Sequence, residues 1–139
     1  GLGAAEPNAV HHITLVAHSL GCILTAWWAR HAPPAVVGKV QAALLVAPGD
    51  VEQADLRQHL PGWAPIARQR LPFAAVVVGS QNDPYCRLAR AQQLAADWGA
   101  QWVDAGAAGH INSASQLGDW PQGHALLQDL VKDSVHGKR

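Results

Sequence analysis

The sequence predicts an α/β fold, in which a parallel sheet carries helices on both faces in three layers. Short, wholly apolar runs, typical of strands buried on both faces, alternate along the chain with longer runs of helical periodicity. Such alternation is typical of parallel sheets, because each helix returns the chain to the starting edge. The chain has 139 residues, 49% hydrophobic and 14% charged, which suffices for one domain with a sizeable core.

The predicted elements follow one another without a repeat or linker, so we expect a single domain over residues 1–139, with its core at residues 13–135. Strands are predicted at residues 13–17, 40–47, 74–79 and 101–104, and helices at residues 20–31 and 87–98. A polar segment at residues 50–72 has room for a short helix, and residues 1–12 and 105–118 are predicted to be loops. The apolar stripe predicted for the first helix is Leu20, Ile23, Leu24, Trp27 and Trp28. A last helix follows Asp119 as N-cap, with a predicted stripe of Leu126, Leu127, Leu130, Val131 and Val135.

The composition argues against several classes of function. Ten basic residues balance ten acidic ones, so no net field attracts nucleic acid or an anionic membrane, and no apolar run approaches the roughly 20 residues that span a bilayer. The two cysteines, Cys22 and Cys86, are too few for a disulfide scaffold, and Cys22 is expected to be a small buried residue. We therefore expect a cytoplasmic protein with no nucleic-acid or membrane partner.

The first predicted strand runs into the first predicted helix through Ser19. The residues Ala17-His18-Ser19-Leu20-Gly21 follow the pattern G-x-S-x-G, with alanine in the first glycine position. Such a turn lifts the serine hydroxyl clear of the sheet and aims the backbone N–H of Leu20 at a developing oxyanion. Serine is also a common helix N-cap, but the strand-to-helix context favours a nucleophile.

A carboxylate and a histidine follow two other predicted strands. Reactive groups gather at the carboxyl ends of the strands of a parallel sheet. Asp83 follows the third strand and His110 the fourth, which gives the order Ser, Asp, His that is typical of α/β-hydrolases. Asp50, after the second strand, is a rival acid, but this fold usually supplies its acid after the strand that Asp83 follows. We expect Ser19 to act as nucleophile, His110 as base and Asp83 as the acid that orients it.

The other histidines and the tryptophans have ordinary alternatives as packed or solvated side chains. His18 precedes the candidate nucleophile, and the elbow is expected to point its side chain away from the hydroxyl. No histidine pair has metal-ligand spacing with supporting carboxylates, so no metal site is expected. The residues predicted to border a substrate cleft are His18, Trp63 and Trp120.

Four sequence blocks together resemble the small serine hydrolases of the α/β-hydrolase superfamily that include retinoblastoma-binding protein 9. They are residues 17–22 (AHSLGC), 80–86 (SQNDPYC), 109–112 (GHIN) and 118–123 (GDWPQG). The resemblance extends from about residue 12 to the last helix. It implies that Ser19, Asp83 and His110 form the triad of a compact hydrolase without a large cap domain.

The chain departs from that family in two places. Gln116 stands where members usually carry glycine. Members also begin with a further strand and helix, and the loop after that strand supplies a second oxyanion N–H; nothing before residue 13 matches them. The sequence therefore predicts an N-terminally truncated fold. Its strand at residues 13–17 is then an exposed apolar edge, at which two copies are expected to pair as a homodimer.

These observations predict a serine hydrolase that cleaves a small ester, thioester or amide through an acyl-enzyme. The expected partner is a small-molecule acyl substrate, and the chemistry needs no cofactor. The alternative is a non-catalytic protein-interaction module that retains the hydrolase fold.

Overall fold

The computed structural model describes residues 13–111 and positions 123, 125, 126 and 128–130. The strands are β1 (Ile13–His18), β2 (Val40–Val46), β3 (Ala74–Gly79) and β4 (Gln101–Asp104). The helices are α1 (Leu20–His31), α2 (Pro34–Val37), α3 (Ala54–His59) and α4 (Leu88–Trp98). The described positions beyond residue 122 are helical and belong to the predicted last helix. All four predicted strands and both predicted longer helices are confirmed to within one residue at each end.

The strands form one sheet in the order β1-β2-β3-β4, and every neighbouring pair is parallel. The register aligns Ala17 with Leu45 and Leu45 with Val77, so the carboxyl ends of the strands meet at one edge. Within the described part of the chain, β1 and β4 are the outer strands. Val16 in β1 is 62% exposed, whereas β3 is buried throughout. Pairing of two copies through β1 stays a prediction.

Alternate residues of the inner strands supply two separate cores. One face of the sheet, which includes Leu45 and Val77, packs against buried residues of α1 and α4. The opposite face, which includes Leu44 and Val78, packs against Leu130 of the last helix. Both faces are therefore covered by helices, and the predicted three layers are confirmed.

The apolar stripe predicted for α1 is wrong in part. The buried side chains of α1 are Cys22, Ile23 and Ala26, whereas Leu24 and Trp27 are 54% and 52% exposed. The small side chains of Cys22 and Ala26 allow α1 to lie close to the sheet. Trp28 is half-buried and packs against the core, whereas Leu24 and Trp27 lie on the outer side. Periodicity identifies the helix, but here two sides of it are apolar. The short α2, which follows Pro33, was not predicted.

The described helices are short. None of them combines the length and the apolar character needed to cross a bilayer. The longest among them, α1, has 12 residues, against the roughly 20 that a membrane span requires.

Candidate active site

Ser19 lies in a sharp turn between β1 and α1. Its backbone has φ 59° and ψ −117°, which is rare for a residue other than glycine. The Ser19 N–H still donates to the Val46 carbonyl, at 3.0 Å, so β2 holds the chain up to the turn itself. The α1 helix then begins at Leu20, whose N–H lies in the first turn and has no partner within the helix. This geometry is that of a nucleophile elbow.

Three side chains from the ends of three strands form a hydrogen-bonded chain. The Ser19 hydroxyl donates to His110 Nε2 at 2.8 Å, and His110 Nδ1–H donates to Asp83 Oδ2 at 2.9 Å. The side chains of His110 and Asp83 are 9% and 2% exposed. The carboxylate accepts from Nδ1, which fixes the tautomer that leaves Nε2 free to accept from the serine. The structure thus brings together the three residues that the sequence selected, although Ser19 and His110 are 91 positions apart.

Two polar residues after β3 hold the loop that carries His110. The Ala108 N–H donates to Ser80 Oγ at 2.9 Å, and the Gly109 N–H donates to Asn82 Oδ1 at 2.7 Å. Ser80 is almost fully buried and its hydroxyl lies 3.0 Å from the same Asn82 oxygen. The β3 end therefore supplies both the candidate acid and the supports of the candidate base. Sequence reasoning missed these supports, although both residues lie in the strand-end block that contains Asp83.

His18 does not point away from the site, contrary to the expectation for the elbow. Its Nε2–H donates to the carbonyl of His110 at 2.7 Å, and the two rings are 4.6 Å apart. The Tyr85 ring also contacts the His110 ring edge-on, with 4.7 Å between the ring centroids. Two other rings therefore pack against the His110 ring. The Tyr85 backbone N–H also donates to Asp83 Oδ1 at 2.8 Å, so the turn after the acid helps to hold its carboxylate.

A cleft of about 410 Å³ opens at Ser19. Its described lining residues are His18, Ser19, Leu20, Gly49, Leu56, Leu60, Tyr85 and His110. Trp63 is not among them and lines a separate cleft beside α1, with Trp27. Its place at a substrate cleft stays a prediction. Trp120 lies outside the described residues. Sequence reasoning missed Leu56 and Leu60, whose spacing of four residues was the available signal.

The rival acid Asp50 lies in a cluster of ion pairs away from His110. Its carboxylate accepts from the Glu52 N–H and lies 3.4 Å from Arg90 Nε. Glu52 in turn pairs with Arg90 and Arg68, and accepts from the Ile66 N–H at 2.8 Å. Burial opposes ionisation of Glu52, but the Ile66 N–H and the two arginines outweigh it and hold the pKa of this carboxyl below its usual value. Asp50 and Glu52 together tie the chain after β2 to α4.

Both cysteines are buried, and neither forms a disulfide. Burial raises the pKa of the Cys22 thiol well above its ordinary value. Burial, together with the charges of Asp50 and Asp83, raises the pKa of Cys86 to about 12. Both side chains therefore remain neutral thiols at physiological pH. Among the described residues, no group of three or more His, Cys, Asp or Glu side chains is placed to hold a metal ion.

Comparison with known proteins identifies a family and a fold. The family model for serine hydrolases matches residues 2–129. A protein from Pectobacterium atrosepticum described as a YdeN-like hydrolase has a similar structure, with a TM-score of 0.68 and 25% identity over 94% of this chain and 64% of that one. The ydeN gene product of B. subtilis has a TM-score of 0.67 and 18% identity, over 86% of this chain and 65% of that one. No curated protein matches the chain.

These likenesses confirm the predicted α/β-hydrolase-like fold. An α/β serine hydrolase homologue from Coxiella burnetii is more distant, with a TM-score of 0.52 and 15% identity over 87% of this chain and 48% of that one. The chain spans less than two thirds of the length of each of these three structures. The narrower resemblance to retinoblastoma-binding protein 9 stays a prediction.

Proposed function

Because the chain belongs to the serine hydrolase family, we propose that it hydrolyses a small ester, thioester or amide at Ser19. The observation that carries the proposal is the continuous hydrogen-bonded chain from the Ser19 hydroxyl through His110 to Asp83, with steps of 2.8 and 2.9 Å. A serine hydroxyl is a weak nucleophile at neutral pH and needs a base within this reach. The open cleft beside Ser19 gives a small-molecule acyl substrate access to that hydroxyl.

The proposed reaction has two halves. In the first, Ser19 Oγ attacks the acyl carbon while His110 Nε2 takes the hydroxyl proton, and His110 then returns that proton to the leaving group. In the second, water attacks the acyl-enzyme with His110 again as base, and the acid product leaves with Ser19 restored. Asp83 keeps the ring in the productive tautomer and stabilises the imidazolium, and the Leu20 N–H stabilises the oxyanion. Every atom is accounted for without a cofactor.

The test uses the full-length protein with a fluorophosphonate probe and a p-nitrophenyl ester. We expect covalent labelling and ester turnover in the wild type. Ser19→Ala should abolish labelling and lower turnover on the order of 10⁶-fold, because the nucleophile is lost. The matched control is Thr25→Ala, which removes a hydroxyl from α1 whose partner is the Gly21 carbonyl and which does not line the cleft.

Two outcomes contradict the proposal. Equal labelling of wild type and Ser19→Ala places the nucleophile elsewhere. A well-folded wild type that neither labels nor turns over any ester favours the alternative, a protein-interaction module on the hydrolase fold. Circular dichroism of each variant establishes that a loss of labelling is not a loss of folding.

A further inference from the structure

We propose that the segment at residues 53–65, hereafter the α3 segment, recognises the acyl group, and that Leu56 and Leu60 select an uncharged, apolar one. This inference rests on the proposed function, because it concerns the substrate of the same site. The α3 segment leaves the sheet after β2 and returns before β3, and it contains α3 and the turn after it. It contributes two of the described lining residues of the cleft, Leu56 and Leu60.

The lining of the cleft combines two kinds of side chain. Ser19, His110 and His18 are polar, whereas Leu20, Leu56 and Leu60 are apolar. Residues four apart on a helical turn lie on the same side, so Leu56 and Leu60 present one continuous apolar surface. No residue of α3 is buried in the core. The position of Leu56 is therefore explained by the cleft that it lines.

The described lining contains no Asp, Glu, Lys or Arg. The charged cluster of Asp50, Glu52 and Arg90 is internally paired, since Arg90 contacts both carboxylates. An acyl group that ends in a carboxylate would lose hydration in this cleft and find no cation there to replace it. An alkyl acyl group instead transfers its apolar surface from water to the leucines, at roughly a fourfold gain in kcat/KM for each buried methylene.

The carboxylate of Glu52 joins the two ends of the α3 segment. Glu52 precedes the segment, and its oxygens accept from the Ile66 N–H at the far end and from Arg68. Arg68 also binds Asp97 of α4 at 2.7 Å. The segment is thus anchored at both ends to the body of the fold, so the two leucines are in place before a substrate arrives. Because the segment is already ordered, binding an acyl group costs little conformational entropy, and contacts with the leucines then contribute fully to selectivity.

The experiment measures acyl selectivity. It compares kcat/KM for p-nitrophenyl acetate, butyrate and hexanoate, and for an ester of hexanoate length whose acyl chain ends in a carboxylate. For the wild type we expect butyrate to exceed acetate by about 16-fold, for two methylenes, and the carboxylate-ended ester to fall at least tenfold below hexanoate. In the double variant Leu56→Ala, Leu60→Ala, the butyrate-to-acetate ratio should fall at least fivefold. Leu24→Ala is the matched control, because this leucine lines the separate cleft at α1, and its ratio should equal that of the wild type.

If the double variant does not fold, the single variant Leu56→Phe tests the same inference. Leu56→Phe narrows the cleft and should lower the ratio of kcat/KM for hexanoate to that for acetate at least fivefold, because the longer acyl chain needs the space that the ring fills. A wild type that labels and hydrolyses esters, with a ratio that neither variant changes, overturns this inference and leaves the proposed function standing. A wild type that favours the carboxylate-ended ester overturns it as well. A folded wild type that neither labels nor hydrolyses overturns both.

Discussion

Two clefts border the α3 segment, and they differ in chemistry more than in size. The cleft at Ser19 measures about 410 Å³, and the other, hereafter the tryptophan cleft, about 330 Å³. The tryptophan cleft is lined by Ile23, Leu24, Trp27, Pro61, Gly62, Trp63, Pro65 and Ala67. It offers apolar surface without a nucleophile or a base. The cleft at Ser19 combines a similar apolar wall with three side chains in one hydrogen-bonded chain.

The difference follows from where each cleft lies on the sheet. The cleft at Ser19 opens at the carboxyl ends of the strands, where parallel topology brings chain ends together from distant positions. The tryptophan cleft lies along α1, away from that edge, and its described lining comes from α1 and from the loop after α3. Apolar volume alone therefore does not identify a site of chemistry. The position relative to strand ends does.

The largest expected effect is on ester turnover in the cleft at Ser19, and it distinguishes Asp83 from Asp50 as the acid. Asp83→Asn should lower ester turnover by about 10⁴-fold, because the amide no longer fixes the His110 tautomer or stabilises the imidazolium. Asp50→Asn is the matched control, since Asp50 contacts Glu52 and Arg90 and not His110, and it should retain turnover within tenfold. Steady-state kinetics of both variants decide between the acids. Near-normal turnover in Asp83→Asn beside an inactive Asp50→Asn would reverse the assignment.

An intermediate effect is expected on the free energy of unfolding when the ion pairs of Glu52, which anchor the α3 segment, are weakened. Glu52→Gln should lower the free energy of unfolding by about 1–2 kcal/mol, because the charge that offsets Arg68 and Arg90 is lost. For a chain of this size that corresponds to roughly 3–7 °C in Tm. Thermal unfolding followed by circular dichroism measures it, with Asp55→Asn on the exposed side of α3 as control. An unchanged Tm would show that the ion pairs do not hold the α3 segment.

The same anchor has a pH signature. The folded-state pKa of Glu52 lies below its unfolded value near 4.5, so its contribution is fully present above that value and is lost as the pH falls through the folded pKa. The difference in Tm between wild type and Glu52→Gln should therefore be constant from pH 6 to 7 and shrink below about pH 4.5. A difference that persists undiminished at pH 3 assigns it to some property other than the ionised carboxylate.

The smallest effect is expected in the tryptophan cleft. Trp27→Ser removes the largest exposed side chain of α1, which is 52% exposed and does not contact the hydrogen-bonded chain. Ester kcat/KM should change less than twofold, while binding of an apolar fluorescent dye to the folded protein should fall. A loss of kcat/KM beyond tenfold, with the Tm preserved, would show that the two clefts act as one site.

The sequence predicted the candidate site better than its surroundings, for a physical reason. Ser19, Asp83 and His110 each follow an apolar strand, and parallel pairing forces strand ends together whatever the details of packing. The outer side of α1 was misassigned because Leu24 and Trp27 fit the apolar periodicity of a buried stripe. In the structure it is the small residues Cys22 and Ala26, with Ile23, that are buried against the sheet.

Other features depend on directions that spacing does not encode. The side chain of His18 binds the His110 carbonyl, a contact between residues 92 positions apart in the sequence. The position of Leu56 depends on how the α3 segment is anchored. Glu52 holds the segment through an ion pair with Arg68 and a hydrogen bond from the Ile66 N–H, and both partners are more than ten positions away in the sequence. Trp63, selected as a large side chain in a loop, lies on the other side of that segment. Each of these outcomes is decided by tertiary contacts.

The burial of the two thiols has a consequence for chemical probes. An electrophile that reacts with a protein normally finds cysteine first, because the thiolate is the better nucleophile. Here Cys22 and Cys86 are 0% and 3% exposed and remain protonated, so soft alkylating reagents meet no competent sulfur on the folded protein. Hard, phosphorus- or carbonyl-centred electrophiles prefer oxygen, so the proposed nucleophile Ser19 should be labelled by such reagents without competition from either sulfur. The selectivity expected for them therefore depends on the burial of both thiols as well as on the hydrogen bond between Ser19 and His110.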